Sequence, residues 1–174
     1  MNLLHDIAPG TPDEMNVIIE IPKDSHNKYE IDKETGLIKL DRANYSAAAY
    51  PFDYGFVPQT LWDDGDALDV IVLTTYPLAV GILVEARPVG ILGMTDDGDS
   101  DDKIIAVPIN DRRWDHVHDI DDVNPHTLKE IVHFLENNKK LKGKPVDVTT
   151  HGFRNKEEAH VAFARAVDMY TEKK

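Results

Sequence analysis

The chain has 174 residues, 41% of them hydrophobic, no cysteine and a formal net charge of −13. That length suits a single domain, 1–174, with a real core, and the missing thiols exclude disulfides, zinc–thiolate sites and cysteine nucleophiles. The charge repels nucleic-acid phosphates, no segment is apolar for the length of a membrane span, and the first residues show no basic-then-apolar leader, so a cytoplasmic protein with no nucleic-acid and no membrane partner is expected.

Val17-Ile18-Ile19-Glu20-Ile21 reads as a strand stopped by Pro22. Lys28-Tyr29-Glu30-Ile31-Asp32 alternates polar and apolar, as a half-buried strand does. Glu34-Thr35-Gly36 then turns the chain into Leu37-Ile38-Lys39-Leu40, a hairpin signal. Tyr50 to Phe56 is an aromatic-rich loop segment, either packed over the end of the sheet or aiming the Tyr50 and Tyr54 hydroxyls at a ligand. Further strands are expected at 70–74, at 80–94 with a bend near Gly90, and at 103–107. Asn124-Pro125 starts a helix, with a capping residue before proline at the first helical position. Leu128, Ile131, Val132 and Leu135 fall on one of its faces, and Lys139 and Lys140 suit its C-terminal dipole. His133 on this helix suits either a subunit interface or the core. Asn155 with Glu158 resembles a capping box for a last helix, 156–171, with Ala159, Ala162, Phe163, Ala166 and Tyr170 as its core stripe. Many short strands followed by two helices predict a mainly β fold with α, an antiparallel barrel or sheet with helices packed on it.

The chemistry concentrates in Asp64-Gly65-Asp66-Ala67-Leu68-Asp69, three carboxylates in six residues followed by Val70-Ile71-Val72-Leu73. Like charges this close need water or cations, and a hard-metal site serving phosphate chemistry is the sharpest reading. A second acidic run, Asp96-Asp97-Gly98-Asp99-Ser100-Asp101-Asp102, lies in a turn between strands. By itself it reads as a solvated loop, with a calcium loop as rival. The EF-hand template fails in both places: position 6 counted from Asp97 is Asp102 and position 12 is Pro108, and the first cluster has Leu68 and Asp69 at positions 5 and 6. If the two turns converge, Asp64, Asp69 and Asp101 could hold magnesium together. Of the cations, Lys28 shares a strand face with Glu30, and Lys103 and Lys139 read singly as solvent-facing. Arg42 is better suited to bidentate phosphate binding. No zinc-hydrolase histidine pattern, phosphate-binding P-loop or nucleophile elbow occurs. A cation-binding module without turnover has no use for these lysines and Arg42, and an oligonucleotide-binding role is opposed by the charge.

The residues resemble the soluble family I inorganic pyrophosphatases of prokaryotic type along nearly the whole chain. The match runs through Val-Ile-Ile-Glu-Ile-Pro at 17–22, Lys-Tyr-Glu at 28–30, Asp-Arg at 41–42, Tyr-Pro-Phe-Asp-Tyr-Gly-Phe-Val-Pro at 50–58, Asp-Gly-Asp-Ala-Leu-Asp-Val at 64–70, Arg-Pro-Val-Gly at 87–90 and Met-Thr-Asp-Asp at 94–97. The resemblance implies a small five-stranded, OB-like barrel and magnesium-dependent hydrolysis of pyrophosphate to two phosphates without a covalent intermediate. It implies several magnesium ions per site, some arriving with substrate: Asp64, Asp69 and Asp101 for the activating ions, Asp96 and Glu30 for the others. It assigns Asp66 to proton removal from the attacking water, and Lys28, Arg42, Tyr54, Lys103 and Lys139 to phosphate. Glu20, Tyr50 and Asp97 match further acidic or hydrogen-bonding positions, and the assembly implied is a homohexamer. Where the family usually has Tyr-Lys, this chain has Asn138-Lys139, and Asn138 is not carried over as a ligand.

Overall fold

The apolar run ahead of Pro22 forms β1 (Met15–Ile21), buried at six of its seven positions. It is central because it pairs on both edges. On one side lies β4 (Asp53–Phe56), antiparallel, and on the other β6 (Leu83–Asp96), also antiparallel. β4 continues to β5 (Asp69–Val72), β5 to β8 (Lys103–Pro108), and β8 returns to β6. The sheet therefore closes on itself in a ring of five strands. The computed structural model that shows this describes residues 1–173.

The expected antiparallel arrangement holds for every pair in the ring except β5 with β8, which run parallel. The crossover is made by the long strand β6 and the short β7 (Asp99–Ser100), which hairpins back on it. β6 bends as its sequence predicts, with a register shift between Pro88 and Gly90. Proline cannot donate to a ladder, and such shifts are where strands tolerate it. β2 (Asn27–Ile31) and β3 (Ile38–Ala43) form a separate two-stranded hairpin in which Lys28 faces Arg42.

Two elements differ from the sequence expectation. The segment 50–56 is not all loop, because Asp53–Phe56 is β4. Its Gly55 passes so close to β1 that a Cβ would lie 1.9 Å from the Ile18 carbonyl oxygen, so the aromatic run carries a glycine where two backbones meet. A strand absent from the sequence reading, β9 (Val148–Arg154), pairs with the far half of β6.

β1, β5 and β8 are buried on both faces, which explains their apolar runs. Val70, Val72, Ile104 and Ala106 pack with Ala159, Ala162, Phe163 and Ala166 of α2 (Lys156–Lys173). Ile71, Ile105 and Val107, on the opposite face, pack with Ile131, Phe134 and Leu135 of α1 (Pro125–Asn137). Both caps form: the Asn124 side chain accepts from the His126 amide, and Asn155 accepts from the Glu158 amide at 3.2 Å. Tyr170 departs from the predicted stripe. It is half-buried, and its hydroxyl bonds His5 Nδ1 of the N-terminal segment at 2.8 Å. His133 is exposed, which removes the core alternative for it.

Candidate active site

One cavity of about 670 Å³ opens at the end of the ring where β5 and β8 begin. Every residue that the resemblance assigns to the site lines it: Asp64, Asp66, Asp69, Asp96, Asp97, Asp101, Glu20, Glu30, Lys28, Arg42, Lys103, Lys139, Tyr50 and Tyr54. The elements that deliver them are distinct. β1 supplies Glu20, the β2–β3 hairpin Lys28, Glu30 and Arg42, and β4 Tyr54. Asp69 and Lys103 are the first residues of β5 and β8 and stand opposite each other in the parallel register. Asp96 ends β6, Asp97 takes up a left-handed φ of 48° in the turn that follows, and Lys139 lies just past α1. Aspartate is among the few side chains that accept that conformation readily.

The 62–66 turn is built by its own backbone. Gly65, at φ 87°, donates to the Trp62 carbonyl, and the Trp62 amide donates to that of Asp66. Asp64 Oδ1 accepts from the Asp66 amide at 3.0 Å, which leaves the Asp66 side chain 59% exposed at the mouth.

Lys103 organises the floor. Its side chain is only 4% exposed, and its ammonium donates to Asp69 Oδ2 at 2.6 Å and also to Asp101. Tyr54 donates to the same Asp69 oxygen at 2.5 Å. Two carboxylates thus share one ammonium, and the surplus charge has consequences. Burial, with Asp69 adding to it, pushes Asp101 up to about 7 although Lys103 pulls it back. Burial also raises Asp64. Burial opposes the charge on Lys103, but Asp69 and Asp101 outweigh it and hold the lysine above its usual value. Glu20, sunk behind the floor, is pushed up to about 8, first by burial and then by Asp69, although its Oε1 accepts from the Ile31 amide at 2.7 Å. Burial raises Tyr50 to about 12, and Tyr54 rises through burial and the Asp69 and Asp101 charges.

The cations sit around the rim. Lys28 reaches Glu30, on the same strand face, at 3.6 Å, and Asp41 of the neighbouring strand β3 at 3.4 Å. Arg42 bonds Asp41 at 2.9 Å and leaves its buried Nε without a partner. Lys139 pairs with Asp96, whose other oxygen is buried and without a hydrogen-bond partner. Sequence reasoning passed over Lys33, a turn residue that pairs with Asp66 across the mouth. Nothing in the local pattern distinguishes it from a solvent-facing lysine.

The donor set is one of hard oxygens, which suits magnesium. Among the described residues no three carboxylate or imidazole side chains form a closed cation cage. Asp96 keeps one buried oxygen without a hydrogen-bond partner, an acceptor that a cation would satisfy.

The comparisons with known proteins agree with the geometry. Residues 17–171 match the family model described as inorganic pyrophosphatase. The chain is 45% identical to an inorganic pyrophosphatase of Haloferax volcanii over 175 aligned positions, 99% of this chain and 98% of the relative. It is similar to the crystal structure of the inorganic pyrophosphatase from Thermus thermophilus, with a TM-score of 0.94, 42% identity, and coverage of 98% of this chain and 99% of that one. A truncated vacuolar soluble pyrophosphatase of Trypanosoma cruzi, solved in complex with PPi, matches with a TM-score of 0.88 and 27% identity, covering 97% of this chain and 77% of that one.

Proposed function

The chain belongs to the inorganic pyrophosphatase family, and we propose that it hydrolyses pyrophosphate to two phosphates with magnesium, by direct attack of water. One observation carries the mechanism. A single cavity sets an acidic floor, Asp64, Asp69 and Asp101, against the basic groups Lys28, Arg42, Lys103 and Lys139.

Pyrophosphate is a polyanion near neutral pH, and this protein carries a net charge of −13. The site must therefore reverse the local potential before substrate can enter. Asp64, Asp69 and Asp101 would hold the activating ions, and Asp96 and Glu30 those that arrive with substrate. Magnesium, when bound, lowers the pKa of a coordinated water and offsets phosphate charge. Asp66 accepts the proton of the attacking water. It suits that role because it is exposed at the mouth while its amide is fixed on Asp64. Lys28 and Arg42 reach the phosphates from the hairpin, and Lys103 and Lys139 from the floor and the far wall. Each offsets charge on the transferred and leaving groups. Tyr54, already a donor to Asp69, positions a hydroxyl beside them. Glu20 anchors the hairpin through the Ile31 amide. Tyr50 packs behind Tyr54, their rings 6.4 Å apart, and Asp97 shapes the turn next to Asp96. No nucleophilic side chain is required, so no phosphoenzyme forms.

The test is phosphate release from pyrophosphate by the pure protein. Activity should require magnesium, stop with chelator, and fall by about a hundredfold or more in Asp66→Asn, the usual scale for a lost general base. Full turnover with chelator present, or in that variant, would reject the mechanism. A panel of manganese, zinc and calcium fixes the metal preference. We place the enzyme in the cytoplasm as a homohexamer, a reading supported by the resemblance and by the exposed His133 face of α1. Sedimentation analysis tests the assembly, and a monomer at micromolar concentration would reject it.

A further inference from the structure

We propose that Lys33 is a positioning residue, a latch that holds the β2–β3 hairpin over the cavity by gripping the turn that carries Asp66. The proposal deepens the pyrophosphatase reading and rests on it.

The hairpin is a two-stranded sheet outside the closed ring. It nevertheless carries Lys28, Glu30 and Arg42, which face the cavity. Their position relative to the 64–69 segment is therefore set by how the hairpin is tied down. On the rung next to the turn, where Ile31 pairs with Ile38, the Ile31 amide donates to Glu20 at 2.7 Å, and Ile31 packs against the cluster of Leu4, Ile18 and Phe56. Nearer the tip, Lys33 carries the tie across the mouth. Its ammonium pairs with the Asp66 carboxylate and donates to the Gly65 carbonyl at 3.3 Å.

The backbone under Lys33 is itself held. Asp32 accepts from the Thr35 amide at 3.0 Å, from the Thr35 hydroxyl at 2.6 Å and from Lys39 at 2.9 Å. The Gly36 amide closes the same turn on the Asp32 carbonyl at 2.7 Å. Lys33 is thus projected from a fixed turn towards another fixed turn. Both partners are more than half exposed, so the pair is solvated and weak. A weak pair suits a latch that must yield, because Asp66 has to be released from Lys33 to take a proton from water.

The consequence is a division between binding and turnover. Without Lys33 the hairpin samples more open positions, and Lys28 and Arg42 meet the substrate less often in the right place. KM for pyrophosphate rises about two- to fivefold in Lys33→Met, the scale of an exposed ion pair, while kcat stays within about twofold. Lys33→Arg restores KM. Asp66→Asn already lacks the charge that Lys33 grips, so adding Lys33→Met to it leaves KM nearly unchanged. Amide exchange over 27–43 in the metal-free protein, read without any assay of activity, speeds up in Lys33→Met and recovers in Lys33→Arg.

Unchanged exchange and unchanged KM in Lys33→Met would overturn the proposal. An equal rise in KM in the Asp66→Asn background would also overturn it, since Lys33 would then act on phosphate directly. A wild-type protein that releases no phosphate would reject the pyrophosphatase reading alone, and the exchange comparison would still decide whether the latch exists.

Discussion

Tyr54 and Lys103 donate to one and the same oxygen, Oδ2 of Asp69, at 2.5 and 2.6 Å. The phenol comes from β4 and the ammonium from β8, the two neighbours of the strand that Asp69 begins. The aspartate is therefore aimed by both flanking strands at once. Tyr54→Phe removes one donor without changing the ring. A hydrogen bond to a charged group contributes ~1.5–3 kcal/mol, so pyrophosphate turnover should fall by roughly tenfold or more. The thermal midpoint, read in the same preparation, should drop by only a few degrees. Wild-type kinetics in this variant would show that Asp69 needs no second donor.

Lys103→Met should be far more damaging to the metal-free protein. It leaves Asp69 and Asp101 buried side by side with no cation between them. Breaking a buried pair from one side costs about 3–5 kcal/mol. Magnesium should return part of that loss, because it supplies the missing positive charge. Thermal unfolding of the variant in chelator and in excess magnesium checks this: the gain on adding magnesium should exceed the wild-type gain.

Glu20 gives a pH signature. Its pKa stands at about 8 in the folded protein against 4.5 for an ordinary glutamate. Between these values the folded state keeps a proton that the unfolded state has lost, so stability falls as pH rises from 4.5 to 8. Glu20→Gln keeps an acceptor for the Ile31 amide but cannot ionise. In chelator, urea midpoints at pH 5 and pH 8 should therefore lie closer together in the variant than in the wild type. An unchanged spacing would exclude Glu20 as the source.

Gly55→Ala probes the fold rather than the chemistry. The new methyl would meet the Ile18 carbonyl oxygen, a backbone atom with no rotamer to escape into. Strands β1 and β4 would have to separate, at a cost beyond ~4 kcal/mol. The soluble yield should collapse, and a urea midpoint near the wild-type value would contradict the close approach.

The acidic cluster, the hairpin and both helices were legible because each has a local signature. Asp64 to Asp69 states its chemistry within six residues, and Asn124-Pro125 marks its own helix start. β9 was not legible. No position of Val148–Arg154 is fully buried, the segment contains Gly152 at φ 86°, and it pairs as a strand along the edge that β6 offers. The aromatic content of 50–56 suggested a ligand loop and hid β4, because Phe52, Tyr50 and Phe134 form an aromatic cluster that only the tertiary fold brings together. The parallel β5–β8 pair and the Lys33 contact depend on which distant segments become neighbours, and short-range pattern carries no such information.

The parallel pairing has a kinetic corollary. Asp69 and Lys103 are 34 residues apart and meet only when the intervening chain has crossed over and β8 has docked in register. A slip by one residue would set buried Ile104 against Asp69 and turn the lysine to the opposite face. Such non-local closure is slow relative to hairpins and helices. During refolding, helical signal should therefore return well before catalysis, because turnover needs Asp69 and Lys103 locked in register.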